Sequence, residues 1–233
     1  MTLSSPLLLL PGLLCDEALW QNQINYLKTM ADCMVADTTR HDTIEAIAKD
    51  VLQAAPERFA LAGLSMGGYV AFEIMRQAPK RVSKLAIFDS SARADTPEQQ
   101  ERRRLLLAMS RAGQFKGVTP RLLPLLISSD RLSDKALTTI IMDMAERVGR
   151  DAFHNQQTAI LNRRDSRALL DDILCPTLIV GGRQDAITPP ELLQEIADGI
   201  KGSHIEIIEN CGHLSPLEQP DAVNTLMQRW LYA

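Results

Sequence analysis

The 233-residue chain has few cysteines, few aromatic residues and no long apolar run, and each shortage excludes a class of protein. Its four cysteines include no C-x-x-C pair, which argues against a disulfide framework or a zinc site and favours reduced thiols in the cytosol. The apolar run at residues 7–10 is far too short to span a bilayer. The first six residues have neither the basic start nor the cleavage site of a signal peptide. We therefore expect a soluble, cytoplasmic protein with no membrane partner.

A strong charge of either sign is also missing. The chain carries 25 Lys and Arg against 29 Asp and Glu, a formal net charge of −4 at pH 7. This balance offers no general basic surface, so we expect no nucleic-acid partner. The apolar fraction of 45% is typical of a globular protein with a substantial core. The length allows one large or two small domains.

Short apolar runs alternate with longer amphipathic stretches along most of the chain. Continuous apolar runs favour strands buried on both faces, as in a parallel sheet. Helical spacing of apolar residues marks the stretches between several of these runs. The alternation predicts an α/β fold, with a mostly parallel sheet of about six strands flanked by helices. The expected strands contain residues 7–10, 34–36, 60–62, 85–88, 178–180 and 205–208, and the expected helices contain residues 44–52, 192–200 and 223–231.

The alternation stops between residues 96 and 172, where no convincing strand is found. Aliphatic clusters with helical spacing fill this stretch, separated by glycine and proline. We expect roughly four helices that form a cap (lid) over the carboxyl edge of the sheet, inserted into a core made of residues 1–95 and 173–233. Many Leu, Ile and Met residues and few aromatics favour a flexible, apolar site for an acyl or alkyl group.

The most informative motif is Gly63-Leu64-Ser65-Met66-Gly67-Gly68, which stands between an expected strand and an expected helix. A sharp strand-to-helix turn holds its serine in a strained conformation and exposes the hydroxyl as a nucleophile. Small neighbours are needed because a Cβ on either side would clash as the chain doubles back. The motif therefore makes Ser65 the candidate nucleophile and directs the backbone N–H of Met66 towards a developing oxyanion.

Two further polar residues follow later strands at the same edge of the expected sheet. Asp185 lies just after the strand at 178–180, and His213 lies just after the strand at 205–208. Active groups collect at the carboxyl ends of parallel strands. A serine hydroxyl needs an imidazole to accept its proton, and the imidazole needs a carboxylate to orient it. We therefore assign Ser65, His213 and Asp185 as nucleophile, base and acid.

Other residues compete for these roles. Asp89 is the alternative acid, although hydrogen bonding near the loop Ser90-Ser91 is the favoured interpretation. Cys211 could be mistaken for a nucleophile but is interpreted as a packing residue. We interpret three more histidines as surface or packing residues: His41, His154 and His204.

An oxyanion hole needs a second backbone donor besides Met66. The first expected strand ends in Pro11-Gly12-Leu13, and Gly12 lets this loop turn close to the serine. The N–H of Leu13 can then face the same point as the N–H of Met66. Leu13 and Met66 are therefore the candidate oxyanion-hole residues.

Four motifs together resemble the α/β-hydrolase superfamily over essentially the whole chain. They are L-L-L-L-P-G at 7–12, G-L-S-M-G-G at 63–68, C-P-T-L-I-V-G-G-R-Q-D at 175–185 and C-G-H-L-S-P-L-E-Q-P at 211–220. The most similar types are small carboxylesterases, lactonases and carrier-protein methyl esterases with a helical cap. The resemblance implies the same five site residues, and the reaction requires no cofactor or metal.

The chain departs from the family pattern in its first loop, where Pro11-Gly12 replaces the usual His-Gly. The glycine that shapes the loop is retained, so only local support of the loop is affected. Ser65 occupies the position where haloalkane dehalogenases and epoxide hydrolases of this superfamily have Asp. The serine argues against those two activities.

The expected function is that of a serine hydrolase that cleaves carboxylic esters of small, largely apolar substrates through an acyl-enzyme. A thioesterase, an enol-lactonase and a cofactor-free perhydrolase or haloperoxidase use the same parts, and these alternatives stay open. A slow-turnover, ligand-sensing signalling protein with a retained triad is a further alternative.

The basic run Arg102-Arg103-Arg104, with Arg111 and Lys116 nearby, bears on possible partners. It could meet an acyl-carrier protein or an acidic substrate. A solvated helix face is the favoured interpretation, since Glu101 beside the run weakens the patch. We expect a small-molecule ester substrate, a carrier-protein partner is possible but not favoured, and the sequence leaves monomer and homodimer open.

Overall fold

A parallel six-stranded sheet forms the centre of the computed structural model, which describes residues 5–233. Its strands lie in the order β2-β1-β3-β4-β5-β6, and every neighbouring pair is parallel. The strand expectation is confirmed in number and direction. Residues 1–4 lie outside the described residues. They make up most of the N-terminal segment in which the sequence showed no signal-peptide features. The strands are β1 (Ser5–Leu10), β2 (Ala31–Val35), β3 (Phe59–Leu64), β4 (Val82–Phe88), β5 (Thr177–Gly182) and β6 (His204–Ile208).

Helices cover both faces of this sheet, which explains why its central strands are continuously apolar. Every residue of β3 and β5 is buried. Along β1, Leu8 and Leu10 pack into one apolar cluster, whereas Leu7 and Leu9 pack into another on the opposite face. The first cluster contains residues of α2 (Ile44–Ala54), α3 (Met66–Gln77) and α7 (Pro190–Gly199), and the second contains residues of α1 (Gln21–Leu27), α8 (Ser215–Glu218) and α9 (Pro220–Tyr232).

The segment between β4 and β5 is helical, as expected. It contains α4 (Pro97–Met109), α5 (Leu123–Leu126) and α6 (Lys135–Leu161), with a π-helical turn directly after α4 and short 3-10 helices after α5 and α6. Gly149 lies inside α6 with φ 78° and ψ 179°, so α6 consists of two helical halves that meet at a kink. The segment thus contains three α-helices, the longest of them kinked, where roughly four helices were expected.

This helical segment contacts the loops that follow the strands. Asn155 donates a hydrogen bond to the carbonyl of Thr39 in the loop after β2, and Arg147 pairs with Asp16 in the loop after β1. The segment therefore lies against the carboxyl edge of the sheet. Its boundaries at 96 and 172 and its role as a cap stay predictions.

A buried ion cluster ties the segment to the core. The Asp95 carboxylate receives hydrogen bonds from Arg103 on α4 and from Arg163 just after α6. The Arg163 guanidinium also lies 4.3 Å from the centre of the Tyr69 ring on α3. The two ends of the helical segment are thus bound to each other and to the helix that follows β3.

Candidate active site

Ser65 occupies the sharp turn between β3 and α3. Its φ of 54° and ψ of −112° lie outside the usual regions for an L-residue, which is a strained conformation. A side chain at Gly67 would overlap the carbonyl oxygen of Leu10, and one at Gly63 would overlap that of Gly67. The turn therefore requires glycine at both places, as the motif predicted. The Ser65 N–H donates to the carbonyl of Phe88 at 2.9 Å, which anchors the turn to β4.

His213 and Asp185 meet Ser65 in one hydrogen-bonded row. The Nε2 atom of His213 is 2.9 Å from the Oγ atom of Ser65, and its Nδ1 atom is 2.7 Å from the Oδ2 atom of Asp185. Both His213 and Asp185 are buried. The structure thus brings together the three residues that the sequence placed at one edge, although they are up to 148 positions apart.

The environment of Asp185 favours its charged form. Burial opposes ionisation, but the nearby His213 and hydrogen bonds hold the pKa of the Asp185 carboxyl below its ordinary value. The hydrogen bonds come from the backbone N–H groups of Ile187 and Thr188 and from the Thr188 hydroxyl, at 2.8, 3.0 and 2.7 Å. A fixed carboxylate at this point orients the imidazole and stabilises its protonated form.

The pKa of His213 shifts in the opposite direction. Burial disfavours the imidazolium, but the Asp185 carboxylate beside it raises the pKa of His213 above its ordinary value. An imidazole in this setting is a stronger proton acceptor than a free one. The pair can therefore take the proton of Ser65 and hold it next to a negative charge.

Glu218 supports the loop that carries His213, a role that the sequence analysis did not assign. One oxygen of the buried carboxylate accepts from the N–H groups of Gly212 and Leu214, at 2.9 and 3.3 Å, on either side of His213. The other accepts from the Ser128 N–H at 2.7 Å, just after α5. The residue stands inside the C-G-H-L-S-P-L-E-Q-P motif and is the last residue of α8. The signal that could have found it was an acidic residue close to His213 in that motif.

The helical segment also holds the histidine loop directly, since the N–H of His213 donates to the carbonyl of Leu126 at 3.0 Å. Leu126 is the last residue of α5. With the Glu218–Ser128 contact, this bond fixes the loop after β6 to the end of α5. The position of His213 therefore depends on the helical segment between β4 and β5 as well as on the sheet.

Asp89, the alternative acid, is fully buried and takes other partners. Its carboxylate accepts from the Gly182 N–H at 2.9 Å and from the Ser215 hydroxyl at 2.5 Å. The expected hydrogen bonding near Ser90-Ser91 is replaced by these bonds, because the side chain extends across the end of β5. Burial, together with the charge of Asp185, raises the pKa of Asp89 to about 8. Asp89 therefore links the loop after β4 to the end of β5 and to the first residue of α8.

The loop after β1 lies close to Ser65. A Cβ atom built on Gly12 would lie 3.5 Å from the Ser65 Cβ, so the loop leaves little room for a side chain between itself and the turn. Leu13 follows in this loop, and Leu14 adopts φ 58°. Met66 is the first residue of α3, so its N–H has no acceptor inside the helix. Met66 thus follows Ser65 directly in the sequence, and Leu13 stands in a loop that packs close to the Ser65 turn. The role of both as oxyanion donors stays a prediction.

The remaining candidate residues either have partners elsewhere or lie in surroundings that disfavour a catalytic role. Cys211 is buried, and burial raises the pKa of its thiol far above the ordinary value, which disfavours a thiolate nucleophile. The other three histidines have partners elsewhere. His41 lies beside Asp50, His154 beside Ser110, and His204 beside Glu206.

The basic run on α4 divides into residues of different environment. Arg102 and Arg104 are exposed, whereas Arg103 is partly buried and is bound to Asp95 and to Gln157. The interpretation as a solvated face thus fits two of the three arginines. Within residues 5–233, no group of three or more His, Cys, Asp and Glu side chains could hold a metal ion. No helix among the same residues is long and apolar enough to cross a membrane.

The fold and its strand order define an α/β hydrolase. A model of the alpha/beta hydrolase family matches residues 9–226. The chain therefore belongs to this family, and it is a hydrolase.

Individual relatives are similar over nearly their whole length. A pimeloyl-(acyl-carrier protein) methyl ester esterase of Nitrosomonas europaea is 25% identical over 229 residues, which cover 92% of this chain and 91% of the relative. A thermophilic esterase from Thermogutta terrifontis has a structure that matches with a TM-score of 0.88 at 30% identity, over 98% of this chain and 89% of the esterase. The enol-lactonase of Burkholderia xenovorans matches with a TM-score of 0.86 at 22% identity, covering 98% and 92%, and supports the fold alone.

Proposed function

We propose that the protein is a serine hydrolase that cleaves carboxylic esters of small, largely apolar substrates through an acyl-enzyme. The observation that carries the proposal is the hydrogen-bonded row from Ser65 Oγ through His213 to Asp185, with distances of 2.9 and 2.7 Å. Relatives named as esterases support the reaction class.

In the proposed acylation, the Ser65 oxygen attacks the ester carbonyl while His213 Nε2 accepts its proton. The N–H groups of Leu13 and Met66 donate to the oxyanion of the tetrahedral intermediate. The intermediate collapses as His213 returns the proton to the alkoxide, so the alcohol leaves neutral and Ser65 carries the acyl group.

In deacylation, His213 removes a proton from water as the water oxygen attacks the acyl-enzyme. A second tetrahedral intermediate forms at the same donors and collapses as His213 returns the proton to Ser65 Oγ, which frees the carboxylic acid and regenerates Ser65. Asp185 keeps its charge throughout and stabilises the imidazolium in both halves of the reaction.

Replacement of the nucleophile tests this proposal. Ser65→Ala should abolish turnover of a short-chain p-nitrophenyl ester, a loss of about 10⁶-fold in kcat if the row acts as one unit. Cys211→Ala is the matched control, because Cys211 is the buried thiol two residues from His213. It should retain turnover. Retained activity in S65A, or loss of activity confined to C211A, would contradict the mechanism.

A carrier-linked acyl ester is a second candidate substrate, favoured by the relative named as an acyl-carrier-protein methyl ester esterase. Exposed Arg102 and Arg104 are the surface charges that an acidic carrier would meet. The double variant R102E/R104E should then lower kcat/KM for a carrier-linked methyl ester about 10-fold and leave a free p-nitrophenyl ester unchanged. Arg103 is left in place because it binds Asp95. An unchanged kcat/KM for the carrier-linked ester in the variant, or an equal fold-loss for both substrates relative to wild type, would exclude this candidate.

A further inference from the structure

Gln156 is a fully buried amide whose hydrogen bonds cross from α6 to two loops of the core. Its Oε1 atom accepts from the Leu14 N–H at 3.0 Å, in the loop after β1. Its Nε2 atom lies 3.3 Å from the hydroxyl oxygen of Thr38, in the loop after β2. Thr38 is also buried. The amide therefore joins α6 to the oxyanion loop on one side and to the next loop on the other.

These partners leave the amide a single useful orientation. The Leu14 N–H needs an acceptor, so the amide oxygen must face it, and the NH₂ group must then point towards Thr38. A buried amide that loses its partners leaves both its own groups and the Leu14 N–H unsatisfied. The side chain is thus held at both ends.

The peptide that Gln156 binds is a strained one. Leu14 has φ 58°, which is unfavourable for a residue with a branched side chain, and such a conformation persists only where its surroundings fix it. The Gln156 hydrogen bond is such a restraint. Arg147, in the first half of α6, adds a second one through its ion pair with Asp16 in the same loop.

The strained peptide adjoins the candidate oxyanion donor. The N–H of Leu13 belongs to the peptide immediately before that of Leu14, and a side chain on the preceding Gly12 would meet Leu64 and Ser65, so the loop packs close to the Ser65 turn. A rotation at Leu14 would therefore move the Leu13 N–H relative to the Ser65 oxygen. A displacement of about 1 Å at a catalytic group can cost about 100-fold in rate.

We propose that Gln156 is a positioning residue that sets the Leu13 N–H for the oxyanion, and that it links α6 to the catalytic step. The inference rests on the proposed function. Gln156 touches no reacting atom, and it acts by holding Leu14. Its effect should fall on the tetrahedral intermediates and spare the binding of the ester itself.

The test compares Gln156→Met with the wild-type protein. Methionine has a similar length and volume but offers no acceptor to Leu14. On p-nitrophenyl acetate, kcat should fall about 10- to 100-fold while KM changes by less than about threefold. The affinity for a trifluoromethyl ketone, which forms an oxyanion when Ser65 adds to its carbonyl, should fall by a factor similar to the loss in kcat.

Two neighbouring variants serve as matched controls. Asn155→Ala removes a hydrogen bond from the preceding residue of α6 to the Thr39 carbonyl. Thr38→Val removes the hydroxyl that Gln156 Nε2 meets at 3.3 Å and keeps the backbone carbonyl of residue 38, which lies 3.5 Å from Nε2. Both should cost stability, and neither removes the acceptor of the Leu14 N–H. They should keep kcat and ketone affinity within about threefold of wild type. Gln156→Glu, which keeps an oxygen for Leu14, should retain more activity than Q156M.

The outcomes distinguish a failure of the role of Gln156 from a failure of the proposed ester hydrolysis. Unchanged kcat and ketone affinity in a folded Q156M would overturn the role of Gln156, as would equal losses in N155A and Q156M. Should Q156M fail to fold, Gln156→Asn withdraws the acceptor with a shorter amide and should show the same selective loss in kcat. An inactive wild-type protein, or an active S65A variant, would instead refute the proposed ester hydrolysis.

Discussion

Strained backbone is concentrated around the candidate site. Among the described residues, the non-glycine residues with positive φ are Leu14, Ser65, Asp89 and Asn210. Each lies in a loop or turn that follows a strand of the sheet, at its carboxyl edge. Such conformations cost about 1–3 kcal/mol each and persist where the surroundings fix them. Here the fixing groups are visible, since Gln156 holds Leu14 and Phe88 holds Ser65.

At the scale of single residues, the acid of the row gives a prediction for the pH profile. The base must be neutral to accept the Ser65 proton, so activity should rise with pH through the pKa of His213. Asp185 raises this pKa, and Asp185→Asn should therefore shift the acid limb of the kcat/KM profile to lower pH. The plateau should fall by about 10⁴-fold, because the imidazole loses its fixed tautomer.

The control for this prediction is Asp89→Asn, which changes the other buried carboxylate nearby. Asp89 binds Gly182 and Ser215, so its loss should lower the free energy of unfolding. It should lower the plateau of the kcat/KM profile less than Asp185→Asn does. A larger fall in the plateau for D89N than for D185N, measured across pH on a p-nitrophenyl ester, would transfer the acid role to Asp89.

At the scale of elements, the loop after β6 is held by groups from α5 and α8. Glu218 in α8 binds N–H groups on both sides of His213, and the end of α5 binds the His213 N–H itself. His213 is therefore positioned by two short helices that have little stability of their own. The two helices hold the loop through hydrogen bonds, so the removal of one acceptor should displace His213.

Glu218→Gln tests this support. The amide has one oxygen in place of two, so at least one of the N–H groups of Ser128, Gly212 and Leu214 loses its acceptor. We expect a loss of about 1–3 kcal/mol in the free energy of unfolding and a lower kcat, measured by denaturant titration and ester hydrolysis. Glu209→Gln, at an exposed ion pair with Arg183, is the control and should change neither. Wild-type stability in E218Q would contradict the role of Glu218.

At the scale of the whole molecule, the parallel direction of the strands explains why the sequence predicts which residues meet at the candidate site. All six strands point the same way, so residues that follow strands meet at one edge whatever their separation in the chain. Ser65, Asp185 and His213 could be placed together on this ground alone. The requirement for glycine at positions 63 and 67 was predictable because a tight turn excludes a Cβ there.

Contacts between the insertion and the core were not predictable in the same way. Gln156 and Leu14 are 142 positions apart, and no local pattern marks a glutamine that turns inward from α6. Arg103 stands in a run that resembles a solvated face, but tertiary contacts bury it against Asp95. The roles of Gln156, Arg103 and Glu218 follow from how helices dock, which periodicity does not specify.

The central claim is that Ser65 is the nucleophile of an ester hydrolase. Its most direct test is to treat the intact protein with a fluorophosphonate and locate the adduct by peptide mass spectrometry. We predict one adduct per chain, on Ser65, with loss of ester hydrolysis in proportion to labelling and no labelling in S65A. An adduct on another residue, or full activity in the labelled protein, would contradict the account.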